Sequence, residues 1–93
     1  MSQFNILIAA EFHNLNADLE AERDQRLEEA LFERIATIGE AWETALEAPD
    51  EAEAKNIAID RFVNAIRTYP CECRMVVQAG ASQILRRKKV FEP

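Results

Sequence analysis

The strongest periodic pattern of the sequence runs through Ala17–Ala48, ADLEAERDQRLEEALFERIATIGEAWETALEA. Large apolar residues recur along it at intervals of three or four residues, which is the period of a helix. They are Leu27, Leu31, Ile35, Ile38, Trp42 and Leu46. Glutamates fill many of the intervening positions, as on the solvent face of an amphipathic helix. The pattern predicts one long central helix over about residues 18–47.

A straight helix of this length would extend about 45 Å, whereas a compact domain of this size has a radius of gyration of about 12 Å. We therefore expect either a kink at Gly39 or packing of the helix ends against another chain, and we expect an oligomer. The segment Glu20–Arg26 contains no large apolar residue and is expected to face solvent.

The rest of the chain is interpreted in the same way. Apolar residues spaced by four, four and three predict a helix over 3–14, with a strand over Phe4–Ala10 as the alternative. Pro49 and two following carboxylates mark the start of a helix over 50–69. Residues 71–87 fit a short strand or a helix, and we favour the helix because a lone strand would lack a partner. The prediction is one all-α domain over 1–93, a small bundle of three to four helices.

Charge divides the chain into two parts. The 93 residues contain 17 acidic and 11 basic side chains, for a net charge of −6. Residues 1–55 carry −10 and residues 56–93 carry +4. The acidic part is expected to repel nucleic acid and anionic membranes. Since no apolar stretch approaches the ~20 residues of a membrane span, we expect no membrane contact and a cytoplasmic location with free thiols at Cys71 and Cys73.

The sequence offers little for catalysis. Nucleophilic catalysis needs a base beside the nucleophile, and His13 is the single histidine. Cys71 and Cys73 form one C-x-C pair, whereas a structural zinc site needs four ligands. Gly39 and Gly80 are isolated, so no phosphate-binding loop is indicated. We expect no enzyme activity, no catalytic residues, no metal site and no cofactor.

Two charged surfaces are the candidate binding sites. The first is an acidic face on the central helix, formed by Glu29, Glu33, Glu40, Glu43 and Glu47. The second is the basic C-terminal tail 86–93, with Arg86, Arg87, Lys88, Lys89 and Phe91 as partner-binding or anion-binding residues. A solvated helix face and a favourable helix C-terminus are the alternative interpretations of the acids and the bases, respectively.

These features predict a non-catalytic, small acidic protein-binding module that inhibits or adapts a larger host protein. The acidic helix face suggests mimicry of nucleic acid, in the style of phage counter-defence proteins. The alternative is a self-assembling helical oligomer that scaffolds or sequesters a small anionic ligand. A third hypothesis is a DNA-binding regulator that uses residues 75–90, although direct nucleic-acid binding is not expected of so acidic a chain.

Overall fold

The structure is a computed structural model and describes residues 1–92. Two strand–helix–strand units follow each other along the chain, and a short 3-10 turn at Ala17–Leu19 leads into the first helix. The elements are β1 (Ser2–His13), α1 (Glu20–Glu29), β2 (Glu33–Arg34), β3 (Ala41–Ala48), α2 (Glu51–Ile66) and β4 (Glu72–Gly80).

The four strands form one antiparallel sheet in the order β2-β3-β1-β4. Both helices pack on one face of it, because buried residues of α1 and α2 share a single core with one face of the strands. Element order and strand order are those of the βαββαβ, ferredoxin-like arrangement. The predicted all-α helical bundle is therefore wrong.

The helix predicted over 3–14 is instead the central strand of the sheet. Phe4, Ile6, Ile8 and Ala10 are buried, and the residues between them are half-buried. This alternation is the two-residue period of a strand. A spacing of four residues, as between Phe4 and Ile8, is close to the helical period of 3.6 residues. It is also two full periods of a strand, whose side chains alternate every two residues. That coincidence explains the incorrect prediction.

The long helix predicted over 18–47 is also wrong, because the chain reverses in the middle of it. α1 ends at Glu29, and Leu31 adopts a positive φ of 72° while the Phe32 N–H donates to the Leu27 carbonyl at 2.9 Å. Gly39 follows with φ of 85° in the turn before β3. Left-handed residues of this kind interrupt a helix.

Strand β3 shows the same alternation as β1. Trp42, Thr44, Leu46 and Ala48 are buried on the helix side. The apolar residues assigned to one helical seam thus lie on different elements, and Leu31 and Ile38 are largely exposed.

The helix predicted over 71–87 is replaced by β4, which pairs with β1 along its whole length. The objection that a strand here would lack a partner fails because residues 2–13 are themselves a strand. Helix α2 lies within the segment 50–69, where a helix is expected. Its N-cap is Asp50, whose carboxylate accepts from the Glu53 N–H at 2.8 Å and satisfies one of the free donors of the first turn.

The core is centred on aromatic rings contributed by β3, by α2 and by the segment between α1 and β2. The ring of Phe62 on α2 meets the edge of Phe32 at a centroid distance of 5.3 Å and that of Trp42 at 5.6 Å. These three side chains are almost completely buried. Edge-to-face contacts of this kind add to the free energy gained by burying the rings.

A buried arginine closes one end of the core. Arg23 is only 2% exposed, although the segment around it is expected to face solvent. Its guanidinium lies over the Phe12 ring at 4.5 Å and the Trp42 ring at 5.4 Å. Asp24 neutralises it at 2.9 Å and also pairs with Arg34 at 2.7 Å. Arginine tolerates this position because its planar cation stacks on aromatic faces while its N–H groups stay paired.

Neither helix within residues 1–92 combines the length and the apolar composition needed to cross a bilayer.

The alternation in β1 predicts different costs for two neighbouring truncations. Ile8 is fully buried against Trp42 and Val77 of the adjacent strands, and Ile8→Ala should lower the free energy of unfolding by about 2–5 kcal/mol. Leu7 points to the opposite face, and Leu7→Ala should cost about 1 kcal/mol. Urea denaturation of both variants measures the difference. Equal costs would contradict the strand.

Candidate binding face

The sheet face that points away from the helices, termed the outer face, carries the candidate site. Strand register places Glu33, Glu43, Leu7 and Gln78 in one row across the four strands. The row is acidic on the β2 and β3 side and becomes apolar or neutral towards β4. The two carboxylates of this row, those of Glu33 and Glu43, are the groups in it that attract a cation.

Glu33 and Glu43 are directly opposite each other in the β2–β3 pair. Like charges in this arrangement repel and destabilise the strand pair. Arg86 of the C-terminal tail offsets the repulsion, because its guanidinium donates to the Glu43 carboxylate. The side chain of Glu43 is 20% exposed and that of Arg86 is 39% exposed, so the pair is partly shielded from solvent.

The tail follows the outer face beyond β4 without regular secondary structure. The side-chain amide of Asn5 on β1 donates to the Ser82 carbonyl at 3.0 Å. Ile84 is half-buried and, with Leu85, lines a small apolar pocket against Leu7 and Ile35. The tail therefore crosses the sheet from β4 towards β2 and is fixed to it by one hydrogen bond, one ion pair and apolar contact.

A groove of about 350 Å³ lies between the tail and the acidic side of the sheet, beside the contact of Arg86 with Glu43. Glu33, Glu43 and Ala45 line the wall formed by the sheet, and Gln83 and Arg86 line the wall formed by the tail. The groove is shallow and polar and presents hydrogen-bonding groups from both walls. Such a surface suits an extended charged segment better than a compact apolar ligand.

The five predicted acidic residues do not form one stripe. Glu33, Glu43 and Glu47 share the outer face. Glu40 lies in the turn before β3, 3.8 Å from the Arg34 guanidinium. Glu29 ends α1 and lines a groove between the helices. The straight acidic helix that would have mimicked nucleic acid is therefore absent, although three of its residues share the outer face of the sheet.

The predicted basic residues also divide. Arg86 contacts the acidic face, whereas the Arg87 guanidinium donates to the Arg86 carbonyl at 2.7 Å. Lys88 and Lys89 are exposed, and Phe91 is 89% exposed. Pro93, the last residue of the predicted tail, lies outside the described residues. The structure thus joins one predicted basic residue to one predicted acidic residue within the same chain.

The candidate catalytic and metal-binding side chains lie at one end of the β1–β4 pair, where His13 is opposite Glu72 and Phe12 is opposite Cys73. Within residues 1–92, no three His, Cys, Asp or Glu side chains are grouped closely enough to hold a metal ion. His13 lies 3.1 Å from Glu11 at the exposed end of β1. Burial, with a smaller contribution from the neighbouring Cys71, raises the pKa of the Cys73 thiol to about 11, so Cys73 is a weak nucleophile at neutral pH.

The outer face also differs from sheets that bind single-stranded nucleic acid. Such sheets present aromatic rings on which bases stack. The outward positions of β1 and β3 carry, among others, Asn5, Leu7, Ala9, Glu43 and Ala45. The hypothesis of a DNA-binding regulator that uses residues 75–90 would need a helix there to enter the DNA groove, whereas β4 covers residues 75–80 and residues 81–90 form no helix.

Sequence reasoning did not identify Asn5, Leu7 and Ile84 as contacts between the sheet and the tail. The alternating pattern of residues 4–10 contained the signal for the first two, because it assigns odd-numbered residues to one face. Nothing local marks Ile84, since its contact depends on where the tail crosses the sheet.

No protein-family model matches this chain, and a search of curated proteins found no relative.

The contact between Glu43 and Arg86 predicts how firmly the tail is held. Glu43→Gln should increase the fast backbone motion of residues 83–87, because it removes the charge that Arg86 contacts. Glu47→Gln is the matched control, since it makes the same change on the same face away from that contact. Nitrogen-15 relaxation measures the motion. An equal response of both variants would contradict a specific tail contact.

Proposed function

We propose that this chain is a non-catalytic protein-binding module that binds a basic, extended segment of a larger partner on the acidic outer face of its sheet. The observation that carries the proposal is the opposed pair Glu33 and Glu43, to which the chain supplies a cation from its own tail. A pair of facing carboxylates is stabilised by any arginine or lysine that lies between them.

The tail serves as an internal example of the ligand. It is basic and extended, and it combines the Arg86 ion pair with apolar contact from Ile84. A partner segment in which apolar residues likewise flank basic residues would displace it. Displacement requires little energy, because partly exposed ion pairs contribute only about 0.2–1 kcal/mol each.

Such binding suits an inhibitor or an adaptor. The module occupies a basic segment of its partner, and that segment then cannot contact other acidic surfaces or nucleic acid. The net charge of −6 favours association with basic surfaces. It also raises the association rate constant, and this gain falls as the ionic strength increases. This mechanism needs two or three carboxylates at one place and no long acidic helix.

A peptide with the tail sequence, residues 82–91 (SQILRRKKVF), is a direct probe of this face. The full chain should bind the labelled peptide at low ionic strength, and the binding should weaken as salt is added. The double variant Glu33→Gln/Glu43→Gln should bind roughly three- to tenfold more weakly, because two exposed ion pairs are lost. Fluorescence anisotropy measures both affinities.

The matched control is Glu51→Gln/Asp60→Asn, which removes the same charge from exposed positions on α2. This control should bind the peptide as the unmodified chain does. In contrast, Arg86→Ala should strengthen binding, because it removes the internal competitor. Equal weakening by both double variants would show that net charge alone attracts the peptide, and the proposed face would be wrong.

A further inference from the structure

The edge of β4 offers a second interaction surface, separate from the acidic side of the outer face. β4 has nine residues and pairs with β1 on one side only, so in the described chain its other edge has free N–H and C=O groups. The opposite edge of the sheet is β2, which has only two residues. The tail crosses the sheet away from β4 and leaves this edge uncovered.

This edge lacks the features that usually prevent strand pairing. Natural sheets protect their edges with lysine, proline, bulges or very short strands. The sequence of β4, ECRMVVQAG, contains neither lysine nor proline, and its register with β1 is unbroken by a bulge. Its two charges neutralise each other, because Arg74 and Glu72 form an ion pair at 2.6 Å.

Apolar side chains flank the edge on both faces of the sheet. On the outer face, Val76 is 73% exposed and lines a groove with Ile38. On the helix side, Met75 and Val77 are only partly buried. An unpaired edge between two apolar surfaces resembles an interface more than an ordinary solvated strand.

Helix α2 extends the apolar surface beyond the strand. Successive helical residues are rotated by about 100°, which places Ile59 and Val63 on the flank opposite Arg61 and Ala65. Arg61 and Ala65 line the groove shared with α1. Because α1 packs against β2 and α2 packs against β4, the flank with Ile59 and Val63 lies on the β4 side. Both residues are half-buried and are not part of the core cluster.

We propose that a second copy of this chain pairs with the β4 edge, in an antiparallel β4–β4 contact that joins two sheets into one of eight strands. A two-fold axis at Val76 uses the whole strand and sets Val76 of one copy opposite Val76 of the other. In this register Arg74 faces Gln78, Glu72 faces Gly80, and no like charges are opposed. The two-fold symmetry matches every free donor to an acceptor.

The helix flanks explain why a second copy fits better than an isolated peptide strand. A stable interface needs about 1,000 Å² of buried surface, which a strand edge alone does not supply. A second copy brings its own Ile59 and Val63 beside the same axis, so Met75 and Val77 of both copies become covered. A peptide would pair with the edge but leave the helix flank exposed.

The test is the solution mass of the full chain, measured by sedimentation from low to high micromolar concentration. The unmodified chain should reach twice its 10.6 kDa. Val76→Lys should return it to one chain mass, because the axis would place two lysines opposite each other. The matched control is Val90→Lys, which adds the same charge at an apolar residue that is 70% exposed and lies outside β4. This control should remain a dimer.

Near-ultraviolet circular dichroism from Trp42 checks that each variant is folded, since this ring is buried on the helix side whereas Val76 is exposed on the outer face. If the unmodified protein has the mass of one chain at every concentration, the proposal is overturned. The β4 edge would then be available to a strand of another protein. A folded Val76→Lys variant that still dimerises would overturn it as well.

Discussion

Strand β1 holds the sheet together, because it pairs along both of its edges. β1 pairs with β3 on one side and with β4 on the other, over eight and nine residue pairs respectively. Its even-numbered residues supply the centre of the core, and its odd-numbered residues supply the centre of the outer face. Without β1 the remaining strands form only a small β2–β3 pair and an isolated β4, neither of which is stable alone in water.

This dependence explains why local sequence patterns gave an incorrect fold. Spacings of four residues in 4–12 agree with both periods, so the choice between helix and strand depends on neighbours that are distant in sequence. The same holds for 72–80, whose partner is β1. In contrast, α2 is indicated locally, because Asp50 and the carboxylates of its first turn mark its start and a stripe of apolar residues continues through it. The turn at Leu31 carries no local signal, because leucine rarely adopts a positive φ.

The charges were more predictable than the fold. The division into an acidic and a basic part is a property of the sequence, and the structure turns it into a contact between Glu43 and Arg86. Glu33 and Glu43 are ten residues apart, and only the reversal between β2 and β3 brings them opposite each other. Glu29 and Glu40 do not lie beside them, because Glu29 ends α1 and Glu40 lies in the turn before β3. Residue types thus indicated a contact between acidic and basic groups, and topology selected the residues that form it.

The most direct test of this account is a set of nuclear Overhauser effects between backbone protons of β1 and its two neighbours. The register predicts cross-strand contacts from Leu7 to Glu43 on one side and to Gln78 on the other. Regular contacts between residues three apart in 3–14 and 41–48 would instead show helices, and they would contradict both the sheet and the surfaces that it carries.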